Sequence, residues 1–133
     1  MTNLAHLMSK EVKKISHDAT IREAAELMGR LKIGSLLVER EGGFVGILTE
    51  TDIVRKAVAK GFDLGKEKVG AITSKPVISL EQTRSPQDAF DMMGEVGVRH
   101  LAVTDRGKIR GIISVRDLLL YFKKQSEPEM GID

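Results

Sequence analysis

Two stretches of this 133-residue chain share one pattern: Gly46–Asp52 reads Gly-Ile-Leu-Thr-Glu-Thr-Asp, and Gly111–Asp117 reads Gly-Ile-Ile-Ser-Val-Arg-Asp. In each, an apolar run ends at a hydroxyl residue, and an aspartate follows three positions later. This pattern is typical of a strand that passes directly into the N-terminus of a helix. Such a junction presents backbone N–H groups and the positive end of the helix dipole. We call the two stretches the first and the second corner.

The corners admit a binding interpretation and a structural one. In the binding interpretation, the hydroxyl of Thr49 or Ser114 donates to a phosphate or ribose oxygen, and the carboxylate of Asp52 or Asp117 accepts from two vicinal hydroxyls. In the structural interpretation, the same residues only cap the helix that follows. Repetition of the pattern within one chain favours the binding interpretation.

The repetition extends far beyond the corners. Leu7–Arg55 aligns without a gap onto Ile72–Leu120. The identical positions are Ser9/Ser74, Lys10/Lys75, Val12/Val77, Ala24/Ala89, Met28/Met93, Gly29/Gly94, Leu36/Leu101, Val38/Val103, Gly42/Gly107, Gly46/Gly111, Ile47/Ile112 and Asp52/Asp117. A repeat of this length predicts one structural unit that is built twice.

Each repeat has the pattern of a β-α-β-β-α unit. Capping boxes at Thr20–Glu23 and Ser85–Asp88 begin the first helices, and Glu41-Gly-Gly and Asp105-Arg-Gly signal tight turns. The predicted strands are about Val12–Ser16, Ser35–Glu39, Phe44–Leu48, Val77–Leu80, Leu101–Thr104 and Ile109–Ile113. The predicted closing helices are about Glu50–Ala59 and Val115–Lys124. The predicted apolar helix faces comprise Ile21, Ala24, Ala25, Met28 and Leu31 in the first repeat, and Ala89, Phe90, Met93 and Val96 in the second.

The predicted fold class is α/β (α+β), with the two repeats packed sheet to sheet about a pseudo-twofold axis. We expect domains at 5–60 and 69–124, a linker at 61–68 and a flexible tail at 125–133. The chain has no cysteine, its formal net charge is +2, and 41% of its residues are apolar. These values exclude a disulfide scaffold and give weak support for nucleic-acid binding. The sequence has no signal-peptide pattern and no membrane-spanning run, so we expect a cytoplasmic protein.

The duplicated unit and its Gly-h-h-Ser/Thr-x-x-Asp ending, where h is an apolar residue, resemble a stand-alone tandem pair of CBS domains, named after cystathionine β-synthase. Gly97-Val-Arg-His-Leu-Ala-Val103 is similar to a strand that is frequent in this family. The resemblance implies a non-catalytic regulatory module that binds AMP, ADP, ATP or related adenosyl compounds in clefts between the repeats. It also implies a homodimer that acts on a separate downstream protein, with the nucleotide as regulatory ligand and no required cofactor.

Carried over by position, the resemblance places two sets of residues at two clefts. The first cleft would use Ile47, Thr49, Thr51, Asp52, Thr73, Lys75, Pro76, Val77, Val98, Arg99 and His100. The second would use Ile112, Ser114, Arg116, Asp117, Lys10, Val12, Ile33 and Gly34. Arg99 has no basic counterpart in the first repeat, and guanidinium groups suit phosphate. This difference ranks the Asp52 cleft first, with Arg116 and Lys10 as partial compensation in the other.

Three competing functions are open at this point. An enzyme is disfavoured because no phosphate loop, dinucleotide-binding glycine motif, zinc-protease motif or nucleophile elbow occurs. His6 and His17 lack metal-like spacing, so no metal site is expected. A nucleic-acid binder is disfavoured by the 4% aromatic content. A ligand-free dimerisation module is the main alternative. For any dimer, the expected contacts are Ile53, Val54 and Leu118–Leu120.

Overall fold

The computed structural model describes residues Met1–Glu127, and these residues form two units, each with its own three-stranded sheet. Val12–Ile78 makes the first-repeat unit. Met1–Glu11 and the chain from Ser79 onward make the second-repeat unit. The structural units therefore do not follow the sequence repeat at the N-terminus, because the first eleven residues belong with the second repeat.

The helices and strands follow the predicted order, with two short helices added, one at the start and one before the second repeat. In chain order they are α1 Leu4–Leu7, β1 Lys14–Ser16, α2 Ile21–Leu31, β2 Ser35–Arg40, β3 Gly43–Thr49, α3 Glu50–Asp52, a π-helix Ile53–Val58, a 3₁₀-helix Val69–Ala71, β4 Ser79–Glu81, α4 Pro86–Val96, β5 His100–Asp105, β6 Lys108–Ser114 and α5 Val115–Ser126. The described part of the predicted tail, up to Ser126, continues α5, and residues 128–133 lie outside the described residues.

The two sheets share one topology. In each, a short first strand pairs in parallel with the second strand, and the second pairs antiparallel with the third. Both hairpins turn through two consecutive residues with positive φ, Glu41–Gly42 and Arg106–Gly107. This geometry suits a two-residue hairpin loop, because its twist matches that of the strands. Both hairpins also carry a register shift at the same repeat position, after Val38 and after Val103.

The predicted capping boxes are confirmed. The Thr20 hydroxyl accepts from the Glu23 amide at 3.1 Å, and the Glu23 carboxylate accepts from the Thr20 amide at 3.0 Å. Ser85 and Asp88 make the same pair of bonds at the start of α4, where Pro86 occupies the first helical position. Each box satisfies two N–H groups that have no partner inside the helix.

Several of the predicted helix-face residues lie in the core. Ile21, Ala24 and Met28 are buried on α2, and Ala89 and Met93 are buried on α4. The predicted face is wrong at three positions near its edges, because Leu31, Phe90 and Val96 are more than one-third exposed. Ala25 is intermediate. Helical spacing finds the buried stripe but does not define its width, which depends on the neighbouring elements.

The closing helix of the first repeat lies where the sequence predicts a helix, but its hydrogen-bond pattern changes along its length. Only Glu50–Asp52 is α-helical there, and Ile53–Val58 is a π-helix. The corresponding segment of the second repeat is α-helical throughout α5. π-helical turns are rare, and no propensity pattern in a single sequence distinguishes them from α-helix.

Glu81 holds the turn of the second hairpin from the neighbouring strand β4. Its carboxylate accepts from the Thr104 hydroxyl, from the Arg106 amide at 2.8 Å and from the Gly107 amide at 3.3 Å. The hydrogen bond from Thr104 is the main reason that the pKa of Glu81 is lowered; desolvation opposes it, and the Gly107 and Arg106 amides each lower the pKa by a smaller amount. The first repeat has Ser16 at this position.

This network predicts that Glu81 stabilises the folded protein at neutral pH and that this contribution is lost in acid. Because the pKa of Glu81 is lower in the folded state, the carboxylate stabilises the fold above its unfolded pKa, and this contribution disappears as pH falls through the lower folded value. Glu81→Gln should therefore lower the melting temperature at pH 7. It should also make the melting temperatures at pH 7 and pH 3 more similar than they are in the wild type. Thermal unfolding followed by circular dichroism measures this. Glu95→Gln on α4 removes one charge elsewhere and is the control; an equal effect of both variants would contradict the prediction.

Candidate functional site: the strand-to-helix corners

The two corners have the same hydrogen-bonded core. In the first, the Thr49 hydroxyl accepts from the Asp52 amide at 3.2 Å, and Oδ2 of Asp52 accepts from the Thr49 amide at 3.0 Å. In the second, Ser114 and Asp117 make the same bonds at 3.2 and 2.8 Å. The structural interpretation of the motif as a helix cap therefore holds in both repeats. It uses only one oxygen of each carboxylate.

An incoming segment of chain pairs with the third strand beside each corner. Ile47 and Ser74 exchange two backbone hydrogen bonds, each 3.0 Å long. Ser9 and Ile112 do the same at 2.8 and 3.0 Å. The segments pass directly over a glycine, and a Cβ placed on Gly46 would lie 2.4 Å from the Ser74 carbonyl oxygen. The glycine that begins each corner motif is thus required by this close approach.

The second oxygen of the Asp52 carboxylate is occupied from within the protein. Oδ1 accepts from the Ser74 hydroxyl at 2.9 Å and pairs with Nζ of Lys56 at 3.0 Å. The same ammonium group donates to Oγ of Ser74 at 3.1 Å and to the Ile72 carbonyl at 3.5 Å. Asp52 is only 5% exposed. A buried carboxylate needs such partners, because burial of an unpaired charge is costly.

The Asp117 carboxylate has a different environment. Among residues Met1–Glu127, its side chain accepts a hydrogen bond from the Ser114 amide alone. Asp117 is half-buried, and Tyr121 stands at the repeat position of Lys56. The Tyr121 ring packs edge-on against Phe122, with 5.4 Å between centroids. Within the described chain, Oδ1 of Asp117 is therefore available to an external donor.

The charges around the two corners also differ. Beside the second corner, the carbonyl of Arg99 accepts from the Val115 amide at 2.8 Å, so Arg99 lies next to the N-terminus of α5. Arg116 follows on the helix, and Lys10 follows Ser9 on the paired segment; all three basic residues are exposed. At the first corner the matching carbonyl belongs to Gly34 and the matching amide to Glu50, 3.1 Å apart. Lys75 is the counterpart of Lys10 at the first corner, so the second corner is distinguished by its two arginines, Arg99 and Arg116.

The predicted site residues fall into three classes of exposure. Ile47, Asp52 and Thr73 are buried, and the Thr73 hydroxyl donates to the Val69 carbonyl at 2.8 Å. Intermediate exposure is found for Val12, Ile33, Gly34, Thr49, Val77, Val98, His100, Ile112, Ser114 and Asp117. The exposed residues are Lys10, Thr51, Lys75, Pro76, Arg99 and Arg116.

Sequence reasoning missed Lys56, and it gave Ser74, which lies between the predicted Thr73 and Lys75, no role of its own. Ser74 is identical to Ser9 in the repeat alignment, which marked the position but did not indicate that its hydroxyl would contact Asp52. Lys56 lies four residues after Asp52, a spacing that brings opposite charges together on a helix surface. The second repeat lacks the lysine at this spacing, and that asymmetry was visible in the sequence.

The described residues offer neither a metal site nor a membrane-spanning helix. They contain no group of three or more His, Asp or Glu side chains placed to share a metal ion. Within Met1–Glu127, no helix is both long enough and apolar enough to cross a membrane.

Comparison with known proteins identifies the fold family. The family model described as "CBS domain" matches twice, over residues 4–59 and 69–124. The chain belongs to the CBS-domain family. The resemblance drawn from the corner motifs and the two-sheet α+β fold are thereby confirmed. CBS domains are generally regulatory modules, as the resemblance implied.

Individual relatives agree with this assignment. The chain is 31% identical over 118 residues to the CBS domain-containing protein YhcV of Bacillus subtilis, covering 89% of this chain and 84% of the relative. A solved putative signal-transduction protein with CBS domains from Burkholderia ambifaria matches with a TM-score of 0.90 and 27% identity, over 98% of this chain and 100% of that one. A hexameric CBS-CP12 protein from bloom-forming cyanobacteria matches with a TM-score of 0.85 and 28% identity, over 99% and 79%.

The close approach at the first corner predicts a steric effect. In Gly46→Ala the added methyl would lie 2.4 Å from the Ser74 carbonyl oxygen and 2.5 Å from Cγ2 of Thr73. We expect this overpacking to destabilise the protein by about 1–3 kcal/mol. Urea unfolding measures the change in the free energy of unfolding.

Gly29→Ala is the matched control for this experiment. Gly29 lies in α2 with no atom within 4 Å of the added methyl. Because Ala is the better helix former, this variant should gain about 0.5–1 kcal/mol. The interpretation of the corner is incorrect if Gly46→Ala is as stable as the wild type.

Proposed function

We propose that this CBS-domain pair is a non-catalytic regulatory module that binds an adenine nucleotide or a related adenosyl ligand at a corner. The observation that carries the proposal is the carboxylate of Asp117, whose Oδ2 caps the helix while Oδ1 has no donor within the described chain. A carboxylate oxygen in this position can accept from the vicinal hydroxyls of a ribose. Helix capping and ligand binding are then compatible roles of one residue.

The basic residues around the second corner support a ligand that carries phosphate. Arg99, whose carbonyl accepts from the Val115 amide, and Arg116 on α5 are exposed arginines near the second corner, and Lys10 is an exposed lysine on the paired segment. Guanidinium–phosphate contacts are charge-assisted, and the helix N-terminus adds a favourable partial charge. AMP, ADP and ATP fit this chemistry better than adenosine. The ligand acts as a signal, with no required cofactor.

The proposed output is a change in a homodimer that a separate protein recognises. Large apolar side chains stay exposed on the first helix and the closing helix of each repeat. In the first-repeat unit they are Leu31, Val54 and Val58, and in the second-repeat unit Phe90, Val96, Leu119 and Leu120. Exposed apolar patches of this kind are typical of association surfaces. The hexameric state of the cyanobacterial CBS-CP12 relative is consistent with self-association.

The contacts expected from the sequence need one correction. Leu118 is fully buried in its own unit, so it belongs to the core and is not available to a partner. Ile53 packs against the first-repeat core and lines, with Val54, a cavity of about 360 Å³ beside α2. The proposed dimer contacts are therefore Val54, Leu119 and Leu120, together with the exposed residues of α2 and α4, which are Leu31, Phe90 and Val96.

We also propose that the protein is located in the cytoplasm.

Nucleotide binding predicts a measurable stabilisation. Ligand at 100 times its dissociation constant should raise the free energy of unfolding by about 2.7 kcal/mol. Thermal shift with AMP, ATP and adenosine, followed by calorimetry, tests this. Asp117→Asn keeps the acceptor for the Ser114 amide and removes the charge, and we expect it to weaken binding about tenfold or more.

Asp91→Asn is the control, because Asp91 is exposed on α4 and accepts only from Gln87 at 2.8 Å among the described residues. It should leave the affinity unchanged. If no adenosyl compound shifts the melting temperature at millimolar concentration, the module is the ligand-free dimerisation unit that the sequence also allowed.

Self-association has its own test. Light scattering at micromolar concentration should give a mass above the 14.6 kDa of one chain. Leu119→Lys places a charge in the proposed contact and should shift the equilibrium toward the monomer, because burial of an unpaired charge is costly. Lys108→Glu, at the exposed start of β6 and away from the helices, is the charge-change control. A wild-type protein that is monomeric under these conditions would refute the proposed dimer.

A further inference from the structure

The two corner carboxylates differ in the number of acceptor positions that remain. A carboxylate offers about four lone-pair positions on two oxygens. Asp52 already accepts from the Thr49 amide on Oδ2, and from the Ser74 hydroxyl and Lys56 ammonium on Oδ1. A vicinal diol brings two donors, so it cannot bind to this carboxylate without displacing one of the internal partners.

We propose that Lys56 is an internal occupant that keeps the first corner closed to ribose, so that the chain binds one adenosyl ligand, at the second corner. The inference rests on the proposed function, since it ranks the two corners as ligand sites. It reverses the ranking predicted from the sequence, which put the Asp52 cleft first on the strength of Arg99. In the structure, the Arg99 backbone lies beside the second corner.

Burial explains why a diol would not displace Lys56. Asp52 is 5% exposed, and its charge is compensated at 3.0 Å by the ammonium group. A neutral ribose hydroxyl can donate hydrogen bonds but brings no positive charge, so replacing Lys56 by a diol would leave the buried carboxylate without charge compensation, which is costly. Lys56 is also fixed at more than one point, through Ser74 at 3.1 Å and the Ile72 carbonyl at 3.5 Å. The Lys56 side chain itself is 46% exposed, so its ammonium group can still be reached from solvent.

The second repeat shows the same corner without the occupant. Tyr121 replaces Lys56 and carries no charge that could pair with Asp117. Ser9 is the counterpart of Ser74, but within the described residues no hydrogen bond joins the Ser9 hydroxyl to Asp117. The backbone of the corner is otherwise the same, from the reciprocal cap to the paired segment. The difference therefore lies in side chains that can be exchanged by mutation.

The first experiment needs no ligand. Limited acetylation of the folded protein, read by mass spectrometry, gives the relative reactivity of each lysine. Because the Lys56 amine is held by Asp52 and Ser74, we expect it to react about three- to tenfold more slowly than the exposed Lys60. Asp52→Asn should remove most of this protection. Equal reactivity of Lys56 and Lys60 in the wild type would overturn the inference, whatever the protein binds.

The second experiment counts sites by calorimetry with AMP and with ATP. The wild type should bind one ligand per chain, and Asp52→Asn should leave that event unchanged while Asp117→Asn weakens it. Lys56→Met keeps the apolar stem and should open a second, weaker site that Asp52→Asn removes again. Lys56→Gln is the second variant, in case the methionine form does not fold. Lys60→Met is the control and should keep one site.

The outcomes separate the inference from the proposed function. Wild-type binding that Asp52→Asn abolishes, or that Lys56→Met weakens, would show that the first corner is the ligand site and overturn the inference. Two equal sites in the wild type would overturn it as well. If no variant binds AMP or ATP while Lys56 is protected from acetylation, the nucleotide function fails and the internal pairing of Lys56 with Asp52 stands.

Discussion

The reciprocal hydrogen bonds between a hydroxyl residue and an aspartate three positions later are the interaction on which each repeat depends. In both corners the pair ends the third strand, starts the closing helix and fixes the direction of one carboxylate. Since the cap uses a single oxygen, it leaves a second acceptor in a defined orientation. The structural and the binding interpretation of the motif are therefore not exclusive. What a corner can bind depends on what else reaches the free oxygen.

The paired segment is the second constraint. A chain segment crosses Gly46 or Gly111 so closely that any side chain there would collide with its backbone. The segment satisfies N–H and C=O groups of Ile47 or Ile112 that would otherwise lie at the edge of the sheet. In the first corner it also delivers the Ser74 hydroxyl to Asp52. The same contact thus supports the sheet and changes the chemistry of the carboxylate.

Divergence after duplication has made the two corners chemically unequal. The first carries an ammonium group four residues after its aspartate, and the second carries a phenol ring there. The first begins its helix with Glu50, and the second with Val115 and Arg116 beside Arg99. These exchanges leave the reciprocal cap and the paired segment the same in both corners, while they change which charged groups lie near each carboxylate. A pair of CBS domains can in this way keep one fold and assign different roles to its two halves.

The amino-acid sequence by itself determined the duplicated β-α-β-β-α unit, both capping boxes, the hairpin turns and the burial of Met28 and Met93. These features depend on local spacing, which a repeat presents twice. Sequence also pointed to the corner motifs, although their role as ligand sites stays a prediction. It did not reveal the π-helix after Asp52, because a π-helix is a rare variant that differs in its i→i+5 hydrogen-bond register, which apolar spacing at helical period does not specify.

Only the tertiary structure decided which side chains surround each carboxylate. Ser74 reaches Asp52 because a segment distant in sequence pairs with β3, and such long-range pairing has no local signature. Lys56 has helical spacing to Asp52, but its pairing depends on the burial of that carboxylate, which the packing of the unit sets. Leu118 and Leu119 are adjacent in sequence, yet one is buried and the other is half exposed. Local pattern specifies the elements, whereas the contacts that distinguish two copies of one motif arise when distant segments meet.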